Sequence, residues 1–308
     1  MPAIQTMFPA LGTVNTITLY DTSQEHAAEE VRAFIRGLDR LLSVFRPDSE
    51  ISRFNALDGG EWMEISEDTF DIFKESVLCG ELTDGAFDIT AGPLSALWRD
   101  AIRTGQLPSA AKIRRAKRLT DYRGLQLDEQ QRRACLRKDR QRLDLGGIAK
   151  GHAADRAIGI IKSAGIRDAV VNLGGTVGVM GRPRRVGIQD PFRPTGEPFG
   201  TITLRNAFAV TSGSYERGAV IGGVRRHHII DPRTGMPSDS GLLSVTLVGQ
   251  RAVRLDALAT AAFVLGAEAA LPLLRSQSIE AVFITETGGV LTTPGLQTDI
   301  QLMERKGA

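Results

Sequence analysis

The chain has 308 residues, of which 42% are hydrophobic, and a formal net charge of +2. This length can bury a sizeable core, in one large domain or in two closely packed lobes. The near balance of charge argues against a dedicated nucleic-acid surface, so we interpret the basic segment from Lys112 to Arg123 as a solvated helix face. Cys79 and Cys135 lack metal-ligand spacing and form no disulfide framework.

No feature of the sequence predicts a membrane segment or a secretory signal. No apolar run reaches the roughly 18 residues that a membrane-spanning helix needs. The first five residues lack the basic and apolar regions of a signal peptide. We therefore expect a cytoplasmic protein. A leader before Met1 in the natural protein would indicate a periplasmic or membrane-anchored location instead.

Apolar side chains at three- and four-residue steps predict the helices. The clearest helix runs from Gln24 to Phe45, and Pro47 ends it. Further helices are predicted from Ser66 to Leu82, around Trp98, from Ala149 to about Ser163, and from about Val253 to Leu265.

Short apolar runs bounded by glycine and polar residues predict the strands. They are Thr16 to Tyr20, several strands from Leu125 to Leu145, Ala169 to Leu173 with more strands through Ile188, Ala207 to Val210, Leu243 to Val248, and a hairpin of Ala281 to Ile284 with Val290-Leu291. Because strands and helices alternate irregularly, we predict an α+β fold with mixed β-sheets. No repeat or long linker divides the chain, so residues 1–308 are predicted to form a single domain.

The segment from Leu143 to Asp155 carries the strongest local indication of a binding site. The residues from Arg142 to Leu145 have the pattern of a strand end, two glycines follow, and a helix starts near Lys150. Unpaired N–H groups at a helix start, the helix dipole and a lysine together attract anions such as phosphate. An ordinary strand-to-helix turn with a surface lysine explains the local pattern equally well.

Asp256 and Thr260 are four residues apart in a predicted helix, so both side chains emerge on one face and could meet one hard cation. The alternative is that Asp256 caps the helix and Thr260 bonds back to a carbonyl oxygen. His227 and His228 precede a turn, where a histidine can accept a proton near neutral pH. Taken alone, they also fit a surface pair on a strand.

Two further segments end strands in small or polar residues. Thr211-Ser212-Gly213 is predicted to be a turn whose hydroxyl and N–H groups suit a phosphate. Asn172-Leu173-Gly174-Gly175 ends a strand at a glycine pair, which suits a flat ring or a sugar packed on the backbone. Each pattern is weak by itself.

The order of these motifs along residues 7 to 295 resembles the ApbE family, whose members are FAD:protein FMN transferases. The resemblance implies an α+β fold with FAD in a cleft between two intimate lobes and Mg²⁺ at the FAD pyrophosphate. It also implies release of AMP and a phosphoester link between FMN and a threonine of a target protein. The target threonine lies in an Asp/Ser-Gly-Ala/Ser-Thr type motif, which this chain lacks, so we expect the acceptor to be another flavoprotein.

The resemblance also assigns residues by position. Asp256 and Thr260 match side-chain metal ligands, and Gly147 stands where the family usually has an alanine whose carbonyl oxygen binds the metal. Lys150 matches a phosphate-binding residue, and His228 matches the histidine proposed to activate the acceptor hydroxyl. The residues on motifs that line the flavin cleft are Asn55, Asp88, Thr90, Asn172, Gly174, Gly175, Thr211, Ser212 and Gly213.

Two other functions stay open on the sequence alone. With water as acceptor, the same site would be an FAD pyrophosphatase that yields FMN and AMP. A non-catalytic FAD-binding protein is the other alternative. Thr176 supports it, because the family usually has an acidic or amide residue after the double glycine.

Overall fold

The computed structural model describes residues 3–296 and 300–302 of the chain. Within these residues, no helix is both long and apolar enough to cross a bilayer. The helices are Glu25–Leu42 (α1), Glu50–Phe54 (α2), Glu67–Leu82 (α3), Gly92–Thr104 (α4), Ala110–Arg118 (α5), Ala149–Ser163 (α6), Ala252–Leu265 (α7) and Ala267–Ser276 (α8).

The strands are short and follow one another mostly through tight turns. They are Ile4–Ala10 (β1), Thr13–Leu19 (β2), Met63–Glu64 (β3), Leu125–Asp128 (β4), Arg133–Leu136 (β5), Ala169–Leu173 (β6), Thr176–Met180 (β7), Arg184–Gln189 (β8), Pro198–Leu204 (β9), Ala207–Gly213 (β10), Gly218–Ile221 (β11), Val224–His227 (β12), Ile230–Asp231 (β13), Met236–Pro237 (β14), Leu242–Gly249 (β15), Glu280–Thr285 (β16), Val290–Thr292 (β17) and Gln301–Leu302 (β18).

An eight-stranded sheet with the order β1-β2-β6-β7-β10-β15-β16-β17 forms the centre of the molecule. The predicted α+β class is confirmed. In place of mixed sheets, however, every strand ladder in the described part of the chain is antiparallel. The reason is that hairpins and short returns connect most neighbouring strands, whereas parallel neighbours need long crossovers. The predicted single domain 1–308 stays a prediction, and its ends and residues 297–299 lie outside the described residues.

The side chains of the central sheet alternate between two cores, as the two-residue period of a strand requires. In β10, Phe208 and Val210 join the main core with the helices α1, α3, α6 and α7. Ala209, between them, faces a second cluster that contains Phe199 and Ile202 of β9. The sheet is therefore buried on both faces, with helices on one and the β18-β9-β8 sheet on the other.

A third cluster forms a small lobe from α4, α5 and β11 to β14. Its buried members are Leu94, Trp98, Ala101, Ala116, Ile221 and Ile230. The indole N–H of Trp98 donates to the carbonyl oxygen of Gly235 at 2.9 Å, which satisfies the only polar atom of this large buried side chain. The hairpin β11–β12 was not predicted from the sequence, whereas the turn after the two histidines was.

Three local predictions differ from the structure. Thr211–Gly213 lies within β10 and not in a turn, because it pairs with Ser244–Thr246 of β15. The segment 142–145 is not a strand and has one isolated bridge, from Arg142 to Ala91. The first helix ends at Leu42 and not at Phe45, because Ser43 is extended and its carbonyl oxygen accepts hydrogen bonds from two serine hydroxyls instead of a helical N–H.

The N-terminal ends of α6 and α7 cross at very short distance and cap each other. The Asp155 carboxylate of α6 accepts from the N–H groups of Ala252 and Val253, both at 2.9 Å. In return, the Asp256 carboxylate of α7 accepts from the N–H of Gly151 at 2.9 Å. A Cβ on Gly151 would lie 2.2 Å from the Ala252 carbonyl oxygen, so only glycine fits at this crossing.

Replacement of this glycine is expected to destabilise the protein. Gly151→Ala should lower the free energy of unfolding by about 1–3 kcal/mol, because the methyl group meets backbone that cannot rotate away. Gly159→Ala is the matched control in the same helix. It has no atom within 4 Å of an added Cβ and should stabilise the helix by up to about 1 kcal/mol. Urea unfolding measures both variants, and equal midpoints would contradict the close crossing.

Candidate functional site

A cleft of about 860 Å³ lies between the main core and the small lobe. The small lobe contributes the face of α4 with Ser95 and Arg99, and the segment with His228 and Ile230. Most of the predicted site residues meet in this cleft, although they are far apart in the sequence. Those that line it are Asp88, Gly147, Lys150, Thr211, Ser212, Gly213, His228, Asp256 and Thr260.

The start of α6 provides the positive side of the cleft. Ala149 and Lys150 occupy the first turn of this helix and line the cleft, and no side chain caps the helix from Ile148. The N–H groups of Ala149 and Gly151 are already bonded, to the Leu145 carbonyl oxygen and to the Asp256 carboxylate, so the Lys150 N–H and the helix dipole supply the partial positive charge here. The Lys150 ammonium lies 3.9 Å from a carboxylate oxygen of Asp256. This end of the cleft therefore combines the full charge of Lys150 with the partial positive charge of the helix start.

Oxygen donors gather beside Lys150. Asp256 is 3% exposed, and the Thr260 hydroxyl donates to its main-chain carbonyl oxygen at 3.3 Å. The Ser212 hydroxyl lies 3.4 Å from the Thr260 hydroxyl, and a Cβ on Gly147 would lie 3.0 Å from the same oxygen. The alternative in which Asp256 and Thr260 serve only their own helix holds in part. Thr260 bonds back to a carbonyl oxygen of its helix, whereas Asp256 caps α6 instead of its own helix.

These donors suit Mg²⁺ better than a softer metal. Carboxylate, hydroxyl and carbonyl oxygens are the ligands that Mg²⁺ prefers, and it usually keeps several waters and uses only one or two protein carboxylates. Within residues 3–296 and 300–302, no group of three or more histidine, cysteine, aspartate or glutamate side chains could hold a metal. These residues therefore form no zinc-type centre. The oxygen donors of Asp256, Thr260 and Gly147, which include a single carboxylate, fit magnesium.

His228 faces the donors from the small lobe. Its Nδ1 lies 3.2 Å from the carbonyl oxygen of Arg217. A carbonyl oxygen only accepts, so Nδ1 carries the proton and Nε2 keeps a free lone pair. The side chain is exposed at the cleft surface, yet desolvation by the cleft walls lowers the pKa of His228. The neutral form, which can accept a proton, is thereby favoured.

The neighbouring His227 has the opposite environment. It is buried, its Nε2 donates to the Ser238 carbonyl oxygen at 3.1 Å, and its Nδ1 accepts from the N–H of Ile229 at 3.2 Å. Its ring meets the Phe263 ring edge-on at 5.5 Å. Desolvation lowers the pKa of His227 to about 4. His227 is thus a neutral structural side chain, and of the pair only His228 lines the cleft.

Asp88 lines the cleft but its carboxylate is fully engaged. One oxygen accepts from the N–H and the hydroxyl of Thr90, both at 2.7 Å, and the other accepts from the N–H of Tyr122 at 2.9 Å. Desolvation raises the pKa of Asp88 to about 6, against the effect of these hydrogen bonds. Thr90 is fully buried behind Asp88, and its hydroxyl also accepts from the N–H of Asp121 at 2.8 Å.

Several residues predicted to bind the cofactor are not in the lining of the cleft. They are Asn55, Thr90, Asn172, Gly174 and Gly175. Asn55 instead pairs its amide with the N–H and carbonyl of Leu143, at 2.7 and 3.1 Å.

The glycine pair is confined by the neighbouring strands. Gly174 has a φ of +59°, and a Cβ on it would lie 2.1 Å from the Thr13 hydroxyl oxygen. Its N–H donates to the exposed Asn172 side chain at 3.2 Å, and the Gly175 carbonyl oxygen accepts from the N–H of Thr211 at 2.9 Å. Thr176, the departure from the family pattern, is fully buried, and within the described residues its hydroxyl has no hydrogen-bond partner.

Other lining residues were not predicted from the sequence. Arg99 pairs with Asp144 at 3.2 Å and lies over the ring of Phe45, 4.9 Å from its centre. Phe45 is 71% exposed, and Arg217 also lines the cleft. Their signal in the sequence is weak, because an arginine or an aromatic residue beside a helix end is ordinary on any surface.

The comparisons with known proteins agree with this geometry. The family model described as "ApbE family" matches residues 11–283. A curated protein of Klebsiella pneumoniae (strain 342), named FAD:protein FMN transferase, is 33% identical over 282 residues, which cover 91% of this chain and 89% of that protein. One of Treponema pallidum (strain Nichols), with the same name, is 30% identical over 319 residues, covering 96% and 88%.

Solved structures show the same fold. The ApbE protein of Thermotoga maritima superposes with a TM-score of 0.86 and 31% identity, covering 96% of this chain and 98% of that chain. The flavin transferase ApbE of Vibrio cholerae gives 0.85 and 27%, covering 97% and 100%. The family match spans most of the chain, and the cleft lies where its motifs meet. This chain therefore belongs to the ApbE family and is a transferase.

Proposed function

We propose that the protein transfers FMN from FAD to a threonine hydroxyl of another protein and releases AMP, with Mg²⁺ bound in the cleft. The observation that carries this proposal is the meeting of an anion-binding helix start, oxygen donors for a hard cation and a neutral histidine in one cleft. The names of the relatives support the donor and the transferred group. We propose a cytoplasmic flavoprotein with an Asp/Ser-Gly-Ala/Ser-Thr type motif as the acceptor.

The cleft offsets the charge of the FAD diphosphate. Two phosphates carry two negative charges, which repel an attacking oxygen. The first turn of α6 offers the N–H of Lys150 and the partial charge of the helix dipole, and Lys150, which lines the same cleft, adds an ammonium. Ser212 of β10 adds a hydroxyl, while Thr211 lines the cleft with its own hydroxyl paired to that of Thr246 at 2.8 Å. These fixed groups bind the phosphates and hold them in place for reaction.

Asp256, Thr260 and the Gly147 carbonyl would hold the Mg²⁺ ion. When bound, Mg²⁺ supplies positive charge that stabilises the phosphoryl oxygens as the bond to AMP breaks. The cap that Asp256 makes to Gly151 fixes the carboxylate at the start of α6. The cation site and the phosphate site are thereby held side by side by one contact between two helices.

His228 is placed to act as general base. Nε2 removes the proton of the acceptor hydroxyl, a bond forms between that oxygen and the phosphorus of FMN, and the bond from this phosphorus to AMP breaks. The hydrogen bond from Nδ1 to Arg217 orients the ring and fixes the tautomer. Such a base contributes on the order of 10²–10⁴-fold to the rate.

An assay with FAD, Mg²⁺ and a threonine-bearing acceptor separates this function from the two alternatives. AMP together with an acceptor whose mass increases by FMN supports the transferase. AMP together with free FMN and an unmodified acceptor would establish the pyrophosphatase. Bound FAD without AMP would establish a flavin-binding protein.

The cation site is tested by Asp256→Asn. We expect the transfer rate to fall about 100-fold or more, which corresponds to roughly 3 kcal/mol, and the Mg²⁺ concentration for half-maximal rate to rise. Asp39→Asn is the control, because Asp39 lines the same cleft and accepts from the N–H of Leu11, a bond that an amide oxygen keeps. An unchanged rate and Mg²⁺ requirement in Asp256→Asn would refute the ligand assignment.

The two histidines are expected to respond differently. His228→Ala should slow transfer about 10²–10⁴-fold while the FAD dissociation constant stays the same, because only the base is lost. His227→Ala should lower the urea midpoint through the loss of its packing on Phe263, with transfer retained in the folded protein. The reverse pattern would mean that His227 is the base.

The lowered pKa of His228 predicts the pH dependence. The base is lost when pH falls through its pKa, so kcat/KM should decline on the acidic side with a midpoint below 6.5. This midpoint belongs to the free enzyme, since kcat/KM reports the unbound state. The acidic limb should disappear in His228→Ala. A midpoint at or above 6.5 would count against the neutral histidine in the cleft.

A further inference from the structure

The small lobe carries a basic helix whose charges have no partners. Every charged residue of α5 is a cation, and the chain as a whole has a net charge of only +2. These side chains are exposed, and in the described part of the chain none of them forms an ion pair. They are Lys112, Arg114, Arg115, Lys117 and Arg118. Unpaired like charges on one short helix repel each other, so an acidic partner would relieve this repulsion.

Exposed apolar side chains lie near the tip of the β11–β12 hairpin, in the same lobe as this helix. Val220 is 69% exposed and Val224 is 48% exposed. Leu107, in the loop from α4 to α5, is 53% exposed and lies 3.4 Å from where a Cβ of Gly222 would be. We call Leu107, Val220, Val224 and the α5 cations the hairpin face. Exposed apolar groups in one lobe with unpaired charges of one sign are typical of an interaction site.

The hairpin also has an open edge. Its sheet contains only β11 and β12, and within residues 3–296 and 300–302 no other strand pairs with β11. Gly222 and Gly223 both have positive φ, which is the two-residue type I′ turn. Ile221 and Val224 are therefore a hydrogen-bonded pair, and the N–H and C=O groups of Val220 point outward. An extended segment can add to this edge.

The end of the same hairpin that lies opposite its turn is part of the cleft lining. Gly218, the first residue of β11, lines the cleft together with Arg217, and Arg217 holds the ring of His228. The four residues of β11 connect this end of the hairpin to its tip, a distance of roughly 13 Å at about 3.3 Å per residue. A segment that pairs with β11 thus leads from the hairpin face to His228, the general base that would activate an acceptor hydroxyl.

We propose that the hairpin face is the docking surface for the acceptor protein, and that an acidic, extended segment of the acceptor pairs with β11 and delivers its threonine to His228. This proposal rests on the proposed transfer to a protein. The cations select acidic flanks, Val220, Val224 and Leu107 bind apolar side chains, and the open edge supplies main-chain hydrogen bonds.

Binding of a labelled peptide tests the charge contribution. The probe is a fluorescein-labelled synthetic peptide with Asp-Gly-Ala-Thr between aspartate- and glutamate-rich flanks, and its twin has lysine flanks. The unchanged protein should bind the acidic peptide about tenfold tighter or more, by fluorescence anisotropy. Lys112→Glu/Arg114→Glu/Arg115→Glu should abolish this preference. Reversal of exposed cations elsewhere, Lys162→Glu/Arg205→Glu/Arg275→Glu, should preserve it.

The open edge is tested separately. Val220→Pro removes the outward N–H without breaking the ladder to β12, whereas Val220→Ala removes the same apolar side chain and keeps the N–H. The acidic peptide should bind Val220→Pro at least about fivefold more weakly than Val220→Ala. FAD binding, followed by flavin fluorescence, should be unchanged in all variants.

Equal binding of the two peptides, equal loss in the control triple variant, or equal binding by the two Val220 variants would overturn the docking proposal. Failure of the proposed function has a different signature. In that case the protein binds the acidic peptide with the expected preference, yet FAD, Mg²⁺ and the peptide yield no flavin-labelled product. The binding and product measurements therefore separate the two failures.

Discussion

The crossing of α6 and α7 at their N-terminal ends is the contact on which the site depends. It requires Gly151, because a methyl group would overlap the Ala252 carbonyl oxygen. It is closed by Asp155 and Asp256, each of which accepts from the start of the other helix. A carboxylate at a helix start is favourable for the helix dipole, so the capping that stabilises the fold also places Asp256 beside Lys150.

The central sheet and the small lobe supply the other groups of the cleft. β10 lies in the middle of eight antiparallel strands, and near its end the Ser212 hydroxyl comes within 3.4 Å of the Thr260 hydroxyl. The other wall comes from the small lobe, which packs around Trp98 and has a core of its own. Phosphate-binding and cation-binding groups thus belong to the main core, while the histidine and the exposed hairpin belong to the small lobe.

Two adjacent histidines show how local packing separates chemical roles. Both have a lowered pKa because protein replaces water around the ring. For His227, both ring nitrogens are occupied and the ring packs on Phe263, which leaves no lone pair for chemistry. For His228, a single carbonyl contact leaves Nε2 open to the cleft. The two rings are therefore distinguished both by solvent exposure and by the number of engaged nitrogens.

The sequence by itself determined the α+β class, the bounds of α6, the turn into that helix and the order of motifs that indicates the family. These features depend on local periodicity and on short-range backbone conformation, which neighbouring residues dictate. It did not determine that Thr211–Gly213 continues a strand, that Asn55 holds Leu143, or that a hairpin joins His228 to an exposed edge. Those features are pairings between segments distant along the chain, and only the tertiary structure decides them, because many segments offer the same donors, acceptors and apolar faces.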